Sequence, residues 1–160
     1  LNQFGLLKAP VNVRKLAVHL NLKVVEEDFH HSSHKDWLSG ALILQNGIGV
    51  IAVNKNEGKQ RTRFTIGHEI GHFILHNRHN EAYLDKHEPT MFYRSEKRNP
   101  QEREANVFAA SLLMPKVLID QYVAGNDPWT IEQKVKAIAK IFGVSEVAMT
   151  YRLTNLGYLN

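Results

Sequence analysis

Between Val11 and Leu20 the apolar residues Val13, Leu16, Ala17 and Leu20 recur every three to four positions, the spacing of one helical face, and Pro10 just ahead suits a helix start. A β-like run over 23–29 follows, and after it a polar loop carrying His30, His31 and His34. Residues 41–53 are two apolar runs around Asn46-Gly47, the dipeptide that best tolerates the positive φ of a tight turn, so two antiparallel strands are predicted. Phe64, Ile66, Ile70, Phe73 and Ile74 predict a largely buried helix over 63–77. Residues 80–99 are polar, aperiodic and broken by Pro89, which reads as a long loop. An alanine-rich helix over 101–113 is stopped by Met114-Pro115, because proline cannot continue the hydrogen-bond ladder. Residues 131–142, Gly143-Val144-Ser145 and 146–153 read as helix, tight turn and helix, with Ser145 as N-cap. Without internal repeats or linker-like tracts, the expectation is one α+β domain over 1–160.

A chain of 160 residues is long enough to bury about 70% of its unfolded surface without staples. Its 20 Lys and Arg against 16 Asp and Glu leave a net charge of +4, scattered rather than in blocks, too mild to imply nucleic-acid binding. The absence of cysteine excludes disulfide frameworks, thiolate zinc sites, iron-sulfur clusters and a cysteine nucleophile, so any transition metal must be held by His and carboxylates. No apolar run approaches a membrane span and no signal-like segment opens the sequence, so a soluble, cytoplasmic, monomeric protein is expected.

The chemistry lies in His68-Glu69-Ile70-Gly71-His72. Residues four apart on a helix share a face, so His68 and His72 can aim two ring nitrogens at one divalent ion, at the 2.0 to 2.1 Å that is typical for zinc. Glu69 stands beside the ion without being forced to ligate it, where a general base must be to take a proton from a water whose pKa a metal has lowered to about 7. Two histidines inside an otherwise apolar helix would be costly to bury without such a role. His76 continues the four-residue spacing, yet two helical turns put its backbone about 12 Å from that of His68, so it packs or supports instead of ligating the same ion. The extended form of the motif with a third histidine is broken by Leu75 and Arg78, and His79 is out of register. A third ligand is expected from elsewhere in the chain, and the acidic candidates downstream are Glu81, Asp85, Glu88, Glu96, Glu102 and Glu104. Glu102 and Glu104 lie in a predicted helix; Glu102 shares a face with Asn106, which suits a ligand with a partner for an imidazole one turn on, and Glu104 competes by sharing another face with Phe108. His30, His31 and His34 are read as a solvated loop cluster. The helix pair over 131–153 has helix-turn-helix spacing and lysines, but Glu132 and Glu146 argue against direct nucleic-acid binding.

Arg63-Phe64-Thr65 leading into His68-Glu69-x-x-His72 and Leu75-His76, then Glu102-x-x-Ala105-Asn106-x-Phe108-Ala109-Ala110-x-Leu112-Leu113-Met114-Pro115, resembles the ImmA/IrrE family of metallopeptidases. Ser39-Gly40, Asn54 and Tyr151-Arg152-Leu153-x-x-Leu156-Gly157 agree with it. The resemblance implies a zincin-like α+β domain, a zinc or manganese ion on His68, His72 and Glu102, Glu69 as catalytic base and Asn106 supporting a ligand imidazole. It also implies a protein substrate bound in trans, a helix-turn-helix repressor or antitoxin whose cleavage derepresses mobile-element, prophage or stress genes. The alternative is a metal-binding, toxin-type module that grips such a partner without cutting it. Tyr93, His79, Tyr151 and Arg152 are the candidates for oxyanion stabilisation, none favoured over another.

Overall fold

The computed structural model describes residues 1–29, 39–45, 48–76, 100–124 and 130–159. Its elements are a short 3-10 turn at Asn2–Phe4, α1 (Val13–His19), β1 (Leu22–Glu27), β2 (Gly40–Gln45), β3 (Ile48–Asn54), α2 (Lys59–Leu75), α3 (Pro100–Leu113), α4 (Lys116–Val123), α5 (Ile131–Phe142) and α6 (Glu146–Asn155). Mixed α and β structure with a small sheet is as the sequence predicts, and it is consistent with a zincin-like domain. Residues Val13–Ala109 form one compact unit; Leu1–Asn12 with Ala110–Asn160 form another. No helix among the described residues is long and apolar enough to cross a membrane.

In the Val13–Ala109 unit the strand order is β1-β3-β2. β2 and β3 pair antiparallel, with Gln45 opposite Ile48, the register a two-residue Asn46-Gly47 connection requires; those two residues lie outside the described ones. β1 joins the other side of β3 in parallel, from Leu22 opposite Gly49 to Glu27 opposite Asn54. That pairing is not visible in the sequence, because parallel partners are distant in the chain and no turn signal links them. Ile51, Ala52 and Val53 of the central strand are consecutively buried, the pattern of a strand covered on both faces. α1 lies against β1 and α2, and α2 against β2 and β3.

α2 begins at Lys59, ahead of the predicted start, because Lys59 to Thr62 form a polar turn without apolar periodicity. Every residue from Thr65 to His72 is buried, so this stretch is covered all round. Gly71 makes that possible on one side: a Cβ there would lie 3.2 Å from the Ala105 Cα, 3.2 Å from Phe108 Cδ1 and 3.3 Å from the Ala105 carbonyl oxygen. The backbones of α2 and α3 meet at this point.

In the other unit Pro115 ends α3 and opens α4, its carbonyl accepting from the amides of Leu118 and Ile119. α4 went unpredicted: it is only two turns long, and the proline ahead of it reads first as a stop signal. α5 starts with a capping box, Thr130 bonding the Gln133 amide and Gln133 returning to the Thr130 amide. It ends at Gly143 in the left-handed region (φ 64°), and Ser145 then caps α6 through the Ala148 amide at 3.1 Å, as predicted.

Gly71→Val should lower stability by about 1–3 kcal/mol, since its branched side chain meets backbone atoms that cannot swing aside. Urea denaturation measures this, and an unchanged midpoint would show that α2 and α3 do not approach so closely.

Candidate metal centre

His68 and His72 are one turn apart on α2, with ring centroids 4.6 Å apart and their Nε2 atoms 2.9 Å apart. α3 brings Glu102 to the same point: Oε2 is 3.3 Å from His68 Nε2 and Oε1 is 3.2 Å from His72 Nε2. One ligand atom from each of the three residues lies within 4.8 Å of the others. One turn further along α3, Asn106 Oδ1 sits 2.9 Å from His68 Nδ1. A carbonyl oxygen can only accept, so Nδ1 carries the proton and His68 Nε2 presents a lone pair toward His72 and Glu102. Such a convergence of lone pairs and carboxylate charge in a buried place is repulsive unless a cation, a proton or a metal, stands among them. Burial pushes the Glu102 carboxyl up, but where the cation among these groups is a proton on the His68 and His72 rings, the hydrogen bonds they donate and their positive charge outweigh it and hold the group well below the usual carboxylate range. It is an anion at neutral pH. Two imidazole nitrogens and a carboxylate form a donor set suited to zinc or manganese.

Glu69, next in sequence to His68, is 1% exposed. Its Oε1 would be 3.4 Å from a Cβ at Gly40, the first residue of β2, and that Cβ would also lie 2.3 Å from Thr65 Cγ2 and 3.1 Å from the Ala52 carbonyl oxygen. Only glycine fits between the strand and the helix. The entry to β2 is fixed by Ser39: its carbonyl accepts from the Asn54 amide at 3.0 Å, its hydroxyl donates to Glu57 at 2.7 Å, and Arg61 Nη2 donates back to that hydroxyl at 2.9 Å.

His76 is the C-cap of α2; its Nε2 is 3.1 Å from the Gln101 carbonyl oxygen and 3.6 Å from Glu104 Oε2. The structure thus brings Glu102 to the histidine pair and leaves the more exposed Glu104 beside His76. Tyr151 and Arg152 belong to the other compact unit, where Arg152 Nε donates to the Met114 carbonyl. Tyr93 and His79, the acidic residues of 80–99, and His30, His31 and His34 lie outside the described residues. Gly40 entered the sequence analysis only as part of the family resemblance, with no packing role, and Gly71 was given none either; glycine inside a helical pattern was the available signal for Gly71, since it costs about 1 kcal/mol against alanine.

The family model Peptidase_M78, IrrE N-terminal-like domain, matches residues 17–154. The chain is similar to "Uncharacterized immunity region protein 2" of Bacillus phage phi105, with 31% identity over 111 residues, covering 69% of this chain and 63% of that protein. It is also similar to "Metallopeptidase ImmA" of Bacillus subtilis (strain 168), with 26% identity over 105 residues, covering 66% of this chain and 56% of that protein. The chain therefore spans less than two thirds of the length of either relative.

Asn106→Leu removes the acceptor facing His68 while keeping bulk. In nitrogen-detected NMR of the metal-free protein at pH 8, His68 should show a protonated Nδ1 in the parent and a mixture of tautomers in the variant. Identical His68 signals in the two proteins would mean that Asn106 does not set the ring.

Proposed function

The chain belongs to the IrrE N-terminal-like domain family, a family of peptidases, and on that premise we propose that it is a metal-dependent endopeptidase with its ion held by His68, His72 and Glu102. The observation that carries this reading is the convergence of the three donors at one buried point, with the Glu69 carboxylate on the adjoining helix position. A divalent ion there, zinc first and manganese second, supplies Lewis-acid polarisation of a peptide carbonyl and acidifies a water molecule. Three protein ligands leave a coordination position for that chemistry. Glu69 takes the proton of the attacking water and delivers it to the leaving amine. Burial keeps its carboxylate away from bulk solvent. Asn106 holds the His68 ring by Nδ1, so that Nε2 is the ligating atom.

The substrate is a protein, and β2 is the element that receives it. This strand lies at an edge of the described sheet, and its first residue, Gly40, packs against Glu69, so an extended peptide added along β2 runs toward the base. The substrate class we favour is a helix-turn-helix repressor, cut in trans in the cytoplasm to release the genes it silences. The similarity to an immunity-region protein of a phage supports that regulatory setting.

The decisive comparison is Glu69→Gln against the parent. Both proteins should bind about one zinc per chain, with thermal unfolding shifted upward by up to about 2.7 kcal/mol of linkage at a hundredfold excess over the dissociation constant. Cleavage of a helix-turn-helix repressor substrate, followed by mass spectrometry, should fall at least about a hundredfold in the variant. Undiminished cleavage by Glu69→Gln would remove Glu69 from the mechanism, and zinc binding without cleavage by the parent of any such repressor would favour a module that grips its partner without cutting it.

A further inference from the structure

The third ligand candidate sits at a weak place in its helix. Glu102 is the third residue of α3, within the first turn, where backbone amides have no helical partners and where helices fray. Pro100, which opens the helix, has no amide to contribute. A contact from α2 to this first turn therefore bears directly on where the Glu102 carboxylate stands.

We propose that His76 is a positioning residue for this site, pinning the peptide unit from which Glu102 is projected toward His68 and His72. Its Nε2–H donates to the Gln101 carbonyl at 3.1 Å, and that carbonyl belongs to the peptide linking Gln101 to Glu102. The His76 side chain is 6% exposed, so water competes little for the bond. His76 is also the C-cap of α2, its own amide bonded to the His72 carbonyl at 2.9 Å, so the ring is anchored one turn beyond the second histidine of the pair. Glu102 is thereby held from both sides: His76 grips the peptide before it, and the Gly71–Ala105 contact fixes the turn after it. The His76 bond adds a side-chain donor from α2 to a carbonyl of the first turn of α3, so it ties the two helices together at the residue before Glu102.

This inference rests on the reading of His68, His72 and Glu102 as ligands, and a metal-affinity cycle separates the two. Zinc affinity is measured by competition with a chromophoric chelator in the parent, His76→Leu, His76→Gln, Glu102→Ala and the double variant Glu102→Ala/His76→Leu. His76→Leu should bind zinc about tenfold more weakly than the parent. His76→Gln, whose amide nitrogen reaches the place of Nε2, should recover to within about twofold of the parent. In the Glu102→Ala background His76→Leu should change affinity by less than about twofold, because the carboxylate it positions is gone. If His76→Leu does not fold, His76→Asn, whose amide stops short of the Gln101 carbonyl, takes its place in the cycle. Parent-like affinity in His76→Leu, or an equal loss with and without Glu102, overturns the positioning role while leaving the metal reading intact. A parent that binds no zinc overturns the metal reading and this inference with it.

Discussion

Everything at the site depends on how closely two helices approach. Along α2 the contacts run His68, Gly71, His72, His76; along α3 their partners run Asn106, Ala105, Glu102, Gln101. As residue number rises in one helix it falls in the other, so α2 and α3 lie antiparallel and each turn of one addresses a turn of the other. The helices can do this only where side chains are small. Gly71 and the fully buried Ala105 supply that place, and a glycine within a helix costs about 1 kcal/mol of local stability relative to alanine. The cost is incurred at the one turn that lies between the two histidine partners, where a larger residue would push Glu102 and Asn106 away from the rings.

The close approach creates an electrostatic problem as well as a geometry. His68, Glu69 and His72 are all less than 3% exposed, and Glu102 faces both rings. Buried polar groups normally appear as complementary donors and acceptors. Here the Asn106 bond commits His68 to a tautomer whose free nitrogen is an acceptor, and Glu102 adds an anion to the same point. An apolar pair of helices would be easier to fold. Retaining mutually repulsive acceptors in a closely packed place makes sense where a cation completes them, and its binding then contributes to the stability of the folded chain.

Much of this was legible in the sequence, and what was missed has a physical pattern. Local signals worked where the chain closes on itself: Asn46-Gly47 between two apolar runs predicted β2 and β3, and Gly143 with Ser145 predicted the turn between α5 and α6. The histidine spacing predicted a shared face, and the four-residue step from Glu102 to Asn106 matched the two contacts α3 makes with the rings. The sequence was silent about contacts between elements distant in the chain. The parallel pairing of β1 with β3, the Gly71–Ala105 contact and the reach of His76 to Gln101 all depend on tertiary placement. Periodicity also misplaced the start of α2 because its first turn is polar and its middle is buried all round, which leaves no amphipathic contrast at either place.

The division of labour within α2 follows from helix geometry. Successive residues are rotated by about 100°, so the face carrying His68 and His72 and the direction of Glu69 necessarily differ. The histidine face meets α3, while Glu69 lies toward the start of β2, at the position where Gly40 leaves room for it. Ser39, Glu57 and Arg61 bond one another at the strand's entry, next to the gap at Gly40. The helix therefore stands between the element that completes the donor set and the strand proposed to carry the substrate. A carboxylate adjacent in sequence to one of the donors, but turned toward the strand, lies where a peptide laid along that strand would come nearest to the donors.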